Sequence, residues 1–183
     1  MLAYGRGDAR AFETLYARHK AATYRYFLRH VAGDAATAAE LHQDLWLKVV
    51  SARERYETRS KFSTWLYTIA RYRMVDHWRA RHGVTLSSLE DEATAAQVEE
   101  AATQRCDAGD DPLQSSIDTQ ARGRLVAALG AVPGLQRDAF LLHVEAGLSL
   151  EEIASLTAAS AETVKSRLRY AYRRLRAALE DLQ

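Results

Sequence analysis

The chain has 183 residues, 48% of them apolar and 27% charged, with only two prolines and nine glycines. That is room for one medium domain or two small ones, in a composition that favours helix. The longest uncharged apolar run, residues 125–135, falls short of the ~20 residues of a membrane span, and MLAYGRGDAR lacks the apolar core of a signal peptide.

Net charge is only +1, but it is segregated. Residues 1–82 hold fifteen Lys/Arg against eight Asp/Glu, residues 83–118 one against nine, and residues 119–183 nine against seven. Two basic blocks flanking an acidic one suggest a polyanion-binding protein with an acidic connector. Single Cys106 excludes an internal disulfide framework and fits a reducing compartment. The chain reads as all-α and cytoplasmic, without membrane insertion. Enzyme chemistry finds little support: the six histidines show no metal-binding spacing, and no glycine-rich loop is present to cradle a phosphate. Cys106 has no neighbouring His or second Cys, and His143 reads as a helix-packing residue. No catalytic, metal or cofactor site is expected.

In chain order, Phe12, Leu15, Tyr16, Ala22, Tyr26 and Phe27 recur at helical spacing, with Gly33 as the stop. A second helix is expected from about Asp34 to Arg53. Leu41, Leu45 and Ala52 share one side of it, and Glu40, Gln43, Asp44 and Leu47 form a stripe at i, i+3, i+4 and i+7 on another. Such a stripe is either a solvated face or a docking surface. The loop Glu57-Thr58-Arg59-Ser60-Lys61 leads to FSTWLYTIARYRMVDHWR, residues 62–79. At 100° per residue Phe62, Trp65, Leu66 and Ile69 fall on one apolar arc, which predicts a buried Trp65. Thr64, Tyr67, Arg71 and Trp78 fall opposite, and a row of exposed rings interleaved with arginine suits stacking on unpaired bases. Arg73 and Asp76 are spaced for a local ion pair.

Residues 83–118 lack a sustained apolar stripe and contain a Gly-Asp-Asp-Pro breaker. They read as a flexible acidic linker, either a solvated spacer or a connector laid along a basic channel. The second domain then runs over residues 119–183. Pro133 opens a helix that closes by Gly147, and Ser149 with Glu152 forms a capping box for a short helix. A turn over residues 157–160 precedes a long final helix capped by Ser160. Val164, Leu168, Ala171, Leu175 and Leu179 line its inner face; Glu162, Ser166, Arg169 and Arg173 point away, with Lys165 and Arg176 on the shoulder. A short helix, a tight turn and a basic helix make a helix-turn-helix arrangement. Arginine can pair with guanine and glutamate can accept from cytosine in the major groove.

Three segments carry a resemblance to the extracytoplasmic-function (ECF) group of bacterial sigma-70 factors. AAELHQDLWLKVV looks like the family's polymerase-binding helix. FSTWLYTIARYRMVDHWR looks like its promoter-melting helix, with W-L-x-x-I-A-R and D-x-x-R. VPGLQRDAFLLHVEAGLSLEEIASLTAASAETVKSRLRYAYRRL looks like its fourth region. The resemblance implies two helical domains, one over residues 1–82 and one over 119–183, joined by the acidic linker. It implies as partners core RNA polymerase, docked on Glu40, Gln43, Asp44 and Leu47, and promoter DNA, with an anti-sigma factor as regulator. Single-stranded −10 DNA would meet Glu57, Ser60, Lys61, Thr64, Tyr67, Arg71, Tyr72, Trp78 and Arg79. Duplex −35 DNA would meet Glu162, Thr163, Lys165, Ser166, Arg167, Arg169, Tyr170 and Arg173. Two departures stand out: Tyr72 replaces a usual asparagine, and the turn at residues 157–160 lacks the frequent glycine. A left-handed Ala158 there would cost about 1 kcal/mol. Two rival readings, a sigma-like decoy and a stand-alone regulator, leave the basic final helix or the polar stripe unexplained.

Overall fold

The computed structural model describes residues 1–82 and 116–179, and among them there is helix and no strand. A single-turn helix α1 (Leu2–Gly5) precedes α2 (Ala9–His30), α3 (Ala35–Ser51) and, after a 3₁₀ turn at Arg53–Arg55, α4 (Phe62–His82). The second group is α5 (Ser116–Gly130), α6 (Gly134–Val144), α7 (Leu150–Thr157) and α8 (Ala161–Leu179). The expected acidic linker lies outside the described residues up to position 115; residues 116–118 already belong to α5.

Local chemistry sets the ends of these helices. The Asp8 carboxylate accepts from the Arg10 and Ala11 amides at 3.0 and 3.3 Å and starts α2. Asp34 repeats the device for α3, accepting from the Ala36 and Thr37 amides at 3.1 Å and from the Thr37 hydroxyl at 2.6 Å. Those bonds, the Thr37 hydroxyl's foremost, stabilise the charged carboxylate and lower its pKa. Between α2 and α3 the chain reverses through Gly33 at φ +91, a left-handed conformation that suits a residue without Cβ. The capping box at α7 is complete: the Ser149 hydroxyl accepts from the Glu152 amide at 3.2 Å, and the Glu152 carboxylate accepts from the Ser149 amide at 2.9 Å. The Ser160 hydroxyl accepts from the Thr163 amide at 3.0 Å and starts α8.

Helices α2, α3 and α4 bury Tyr26, Phe27, Leu41, Leu45, Trp46, Val49, Leu66 and Met74. Trp46 stands edge-on to Tyr16 at 4.9 Å and donates its indole N–H to His42 Nε2 at 3.0 Å, an arrangement that keeps the imidazole neutral. Burial likewise lowers the His42 pKa. In the second group Leu129, Leu141, Leu142, Leu148, Ile153, Val164, Leu168, Ala171 and Leu175 interlock, so the expected inner face of the final helix is the observed one.

The two groups are packed on each other and their buried residues form one cluster. The two expected helical groups are both present, and they touch each other. Helix α2 lies against α5 and α6, and α4 against α7.

Candidate functional site

Three surfaces hold the residues singled out in the sequence. On α3, Glu40, Gln43, Asp44 and Leu47 are all exposed, and Leu47 keeps 58% of its surface in water. The opposite side of the helix is buried through Ala38, Leu41, Leu45 and Val49. A large apolar side chain held in water beside two carboxylates leaves a mixed surface open to a partner.

On α8, Glu162, Thr163, Lys165, Ser166, Arg169 and Arg173 are exposed, while Arg167 and Tyr170 are half-buried. The Arg173 guanidinium lies over the Tyr170 ring at 5.3 Å, within cation–π range. Lys165 reaches Glu162 at 3.7 Å, a water-screened contact of little energetic weight. Ala158 ends α7 in the left-handed region, at φ 53 and ψ 31. This bend turns α8 across α7, as a helix-turn-helix requires. With its apolar stripe against α6 and α7, α8 offers its basic side to water.

The face of α4 differs from expectation. Tyr67, placed on the outer side by the helical wheel, is 1% exposed. Arg71 is half-buried and its Nε donates to Asp138 Oδ2 at 2.8 Å. Trp78 is half-buried, edge-on to the His30 ring at 5.4 Å. Trp65, expected inside, is only partly buried against the core. The physical reason is that α4 is covered on two sides: the deepest stripe runs from Leu66, on the expected apolar arc, through Ala70 and Met74 to Tyr67, on the expected outer row. Glu57, Ser60 and Lys61 stay exposed in the preceding loop, Tyr72 is 58% exposed, and Arg79 is half-buried. The expected Arg73–Asp76 pair is present at 2.6 Å.

What covers α4 and α2 is the second group of helices, through polar contacts the sequence did not disclose. Asp138 on α6 accepts from the Tyr26 hydroxyl at 2.9 Å as well as from Arg71. His30 Nε2 stands 3.4 Å from the same carboxylate. Burial alone would raise the Asp138 pKa, but the His30 ring and the Arg71 guanidinium outweigh it and hold the carboxyl well below its usual range. His30 moves the same way for a different reason: burial, helped by Arg137 and Arg71, outweighs Asp138 and lowers its pKa. Burial raises Tyr26 and Tyr67, so both phenols stay protonated donors.

Glu145, with a side chain only 4% exposed, binds Arg25 at 3.0 Å and also Arg29. Its backbone carbonyl accepts from the Tyr67 hydroxyl at 3.2 Å. Glu152, besides capping α7, accepts from the Thr64 hydroxyl at 3.0 Å and pairs with Lys61 at 3.2 Å. Its pKa is lowered, first by the Ser149 amide and then by Thr64 and Lys61. Asp138, Glu145 and Glu152 were not among the sequence candidates. Their seven-residue spacing crosses the break between α6 and α7, so no single helical face announces them. His143, expected to pack within the helices, is exposed, with Nδ1 3.0 Å from the Leu148 carbonyl oxygen. Cys106 lies outside the described residues. Among the described residues no His/Cys/Asp/Glu cluster suits a metal ion, and no helix is long and apolar enough to cross a membrane.

Helical bundle plus helix-turn-helix, carrying an open basic helix, defines a class of DNA-associated protein. Two family models match the chain: Sigma-70 region 2 over residues 15–83 and Sigma-70, region 4 over residues 122–175. The chain is 34% identical over 178 residues to the RNA polymerase sigma factor CarQ of Myxococcus xanthus, covering 97% of this chain and 94% of the relative. It is 32% identical over 177 residues to the ECF RNA polymerase sigma factor SigL of Mycobacterium tuberculosis, covering 96% and 92%. Its fold is similar to that of the sigma factor RpoE in complex with the anti-sigma factor NepR from Bartonella quintana, at a TM-score of 0.69, 23% identity and coverage of 94% of this chain and 98% of that one. CnrH in complex with the cytosolic domain of CnrY gives a TM-score of 0.64 at 23% identity, covering 97% and 92%.

The chain belongs to the sigma-70 family, as a member of its ECF group. Such a protein is a transcription initiation factor and not an enzyme, and its partners are core RNA polymerase and promoter DNA.

Proposed function

We propose that this chain directs polymerase in the cytoplasm to promoters through three separate surfaces. The α3 stripe of Glu40, Gln43, Asp44 and Leu47 docks on core polymerase. The α8 set, from Glu162 to Arg173, reads duplex −35 DNA: Glu162, Lys165 and Arg169 lie nearest the base edges, and Arg173 belongs with the phosphate contacts. The loop before α4, with the face of α4, takes up the −10 strand after it unpairs. There aromatic and guanidinium planes stack on extruded bases at about 1–3 kcal/mol per base and offset the cost of unstacking.

The observation that carries this reading is the open basic side of α8 behind a left-handed turn. An exposed surface with Arg169 and Arg173 in water fits a polyanion better than a packing role. Both structural neighbours are complexes with a partner protein, one of them named as an anti-sigma factor; an anti-sigma factor is accordingly part of the proposal. Run-off transcription with core polymerase over a pool of promoter sequences tests it. Transcripts from templates sharing −35 and −10 elements are expected; silence on every template defeats the reading.

A further inference from the structure

On α8 the Arg173 and Arg174 guanidinium groups share one aromatic ring. The Arg173 Cζ lies 5.3 Å from the centre of the Tyr170 ring and the Arg174 Cζ 6.0 Å from it, the first well inside cation–π range and the second at its limit. Helix geometry explains the convergence. At about 100° per residue, Arg173 stands about 60° to one side of Tyr170 and Arg174 about 40° to the other. Side chains on a helix lean towards its N-terminus, so both arginines tip back over the residue three or four places earlier. Tyr170 is half-buried, whereas Arg173 is exposed on the outer row with Arg169. Arg174 also reaches the corner between α5 and α6, where its Nη2 donates to the Ala131 carbonyl at 3.5 Å. A half-buried ring, flanked by a tethered guanidinium on one side, thus carries the outer guanidinium on its face.

We infer that Tyr170 is a positioning residue for duplex DNA: its ring holds the Arg173 guanidinium ready for a backbone phosphate, and it acts through that arginine rather than on a base. The inference rests on the −35 reading of α8 given above. An arginine gives up side-chain freedom when it settles on a phosphate, and one already held over a ring has less to give up. A cation–π contact uses the face of the guanidinium and leaves its in-plane N–H donors to the phosphate. Phosphate contacts carry no sequence information. The help that Tyr170 gives is therefore the same on every duplex, unlike base readout by Glu162, Lys165 and Arg169.

The test uses the full chain and a fluorescent mixed-sequence duplex at low salt, where phosphate contacts dominate binding, read by anisotropy. Tyr170→Leu, Tyr170→Phe, Arg173→Ala and the double variant Tyr170→Leu with Arg173→Ala are compared with the wild-type chain. In parallel, NMR without DNA follows the Arg173 side-chain protons, which a ring beneath them moves upfield. Arg173→Ala is expected to weaken duplex binding. Tyr170→Leu should weaken it by about two- to fivefold, the weight of an exposed cation–π contact, and Tyr170→Phe, which keeps the ring, should restore it. Once Arg173 is alanine, Tyr170→Leu should cost nothing further. The Arg173 signals should lie upfield in the wild-type and Tyr170→Phe chains and lose that shift in Tyr170→Leu. Additive losses from Tyr170→Leu and Arg173→Ala overturn the inference, since Tyr170 would then act by itself. So do Arg173 signals without an upfield shift in the wild type, or binding that Tyr170→Leu leaves unchanged or tightens. Arg173→Ala binding as tightly as wild type removes the phosphate contact, and with it both the inference and that part of the −35 reading. Failure of −35 base readout alone leaves this assay unaffected, because its duplex has no fixed sequence.

Discussion

Helices α4 and α8 present the same kind of sequence, cations and rings at helical spacing beside an apolar stripe, yet they end in opposite situations. On α8 the outer side meets only water, and Arg169 and Arg173 are exposed. On α4 the corresponding side meets the second group of helices, and Tyr67 and Arg71 are taken into contacts with Glu145 and Asp138. The difference does not lie in either helix. It lies in whether another part of the chain carries carboxylates at matching positions, and a pattern read along one helix contains no information about that. An outward-facing set of charges is therefore a statement about valence rather than exposure.

The largest effect expected from disturbing the covered side is that of Asp138→Ala. It leaves Arg71 and the Tyr26 hydroxyl without their acceptor in a buried setting and should lower unfolding stability by about 3–5 kcal/mol, measured by urea denaturation. Acid acts on the same point. The folded-state pKa of Asp138 is depressed, so its contribution is complete above the ordinary value of 3.8 and is lost as pH falls through the lower folded value. The His30 pKa is also lowered, from 6.5, so stability declines as pH falls from 6.5 towards its folded value. Denaturation midpoints should fall gently below pH 6.5 and more steeply below about 4, and Asp138→Asn should remove most of the steep part.

The open side should answer differently. Arg169→Ala is expected to cost about 1–3 kcal/mol in −35 duplex binding, selective for sequence, while shifting unfolding stability by less than about 0.5 kcal/mol. Equal losses on all duplexes would make Arg169 a phosphate contact. The smallest effect concerns the turn that aims α8. Ala158 sits in the left-handed region, and Ala158→Gly exchanges that strain for a more flexible unfolded chain, for a net gain of about 0.5 kcal/mol by thermal denaturation.

Much of this was legible in the sequence. The capping box at Ser149 and Glu152, the stop at Gly33, the inner stripe of α8 and the left-handed option at Ala158 are all local decisions, made within a few residues. The polar stripe on α3 was legible because its far side is buried by neighbours close in sequence. The union of the two helical groups was not, since the contacts from Arg71 to Asp138 and from Thr64 to Glu152 span 67 and 88 positions. Glu152 shows the difficulty most plainly: its capping duty accounts for it fully, and its second duty towards Lys61 and Thr64 leaves no further mark in the sequence.

Adjacent residues Arg137 and Asp138 are both buried, but their loyalties divide. Arg137 donates to the carbonyls of Gly130 and Val132 on its own side and reaches across to the His30 carbonyl at 3.2 Å. The named partners of Asp138, by contrast, are all foreign to its side: Tyr26, His30 and Arg71. If the halves separate, the guanidinium keeps its home bonds and goes on bracing the corner between α5 and α6. The neighbouring carboxylate emerges bare into solvent, where hydration compensates it. One peptide bond thus joins a fixed hinge-pin to a detachable catch, and undocking need not melt the piece that leaves.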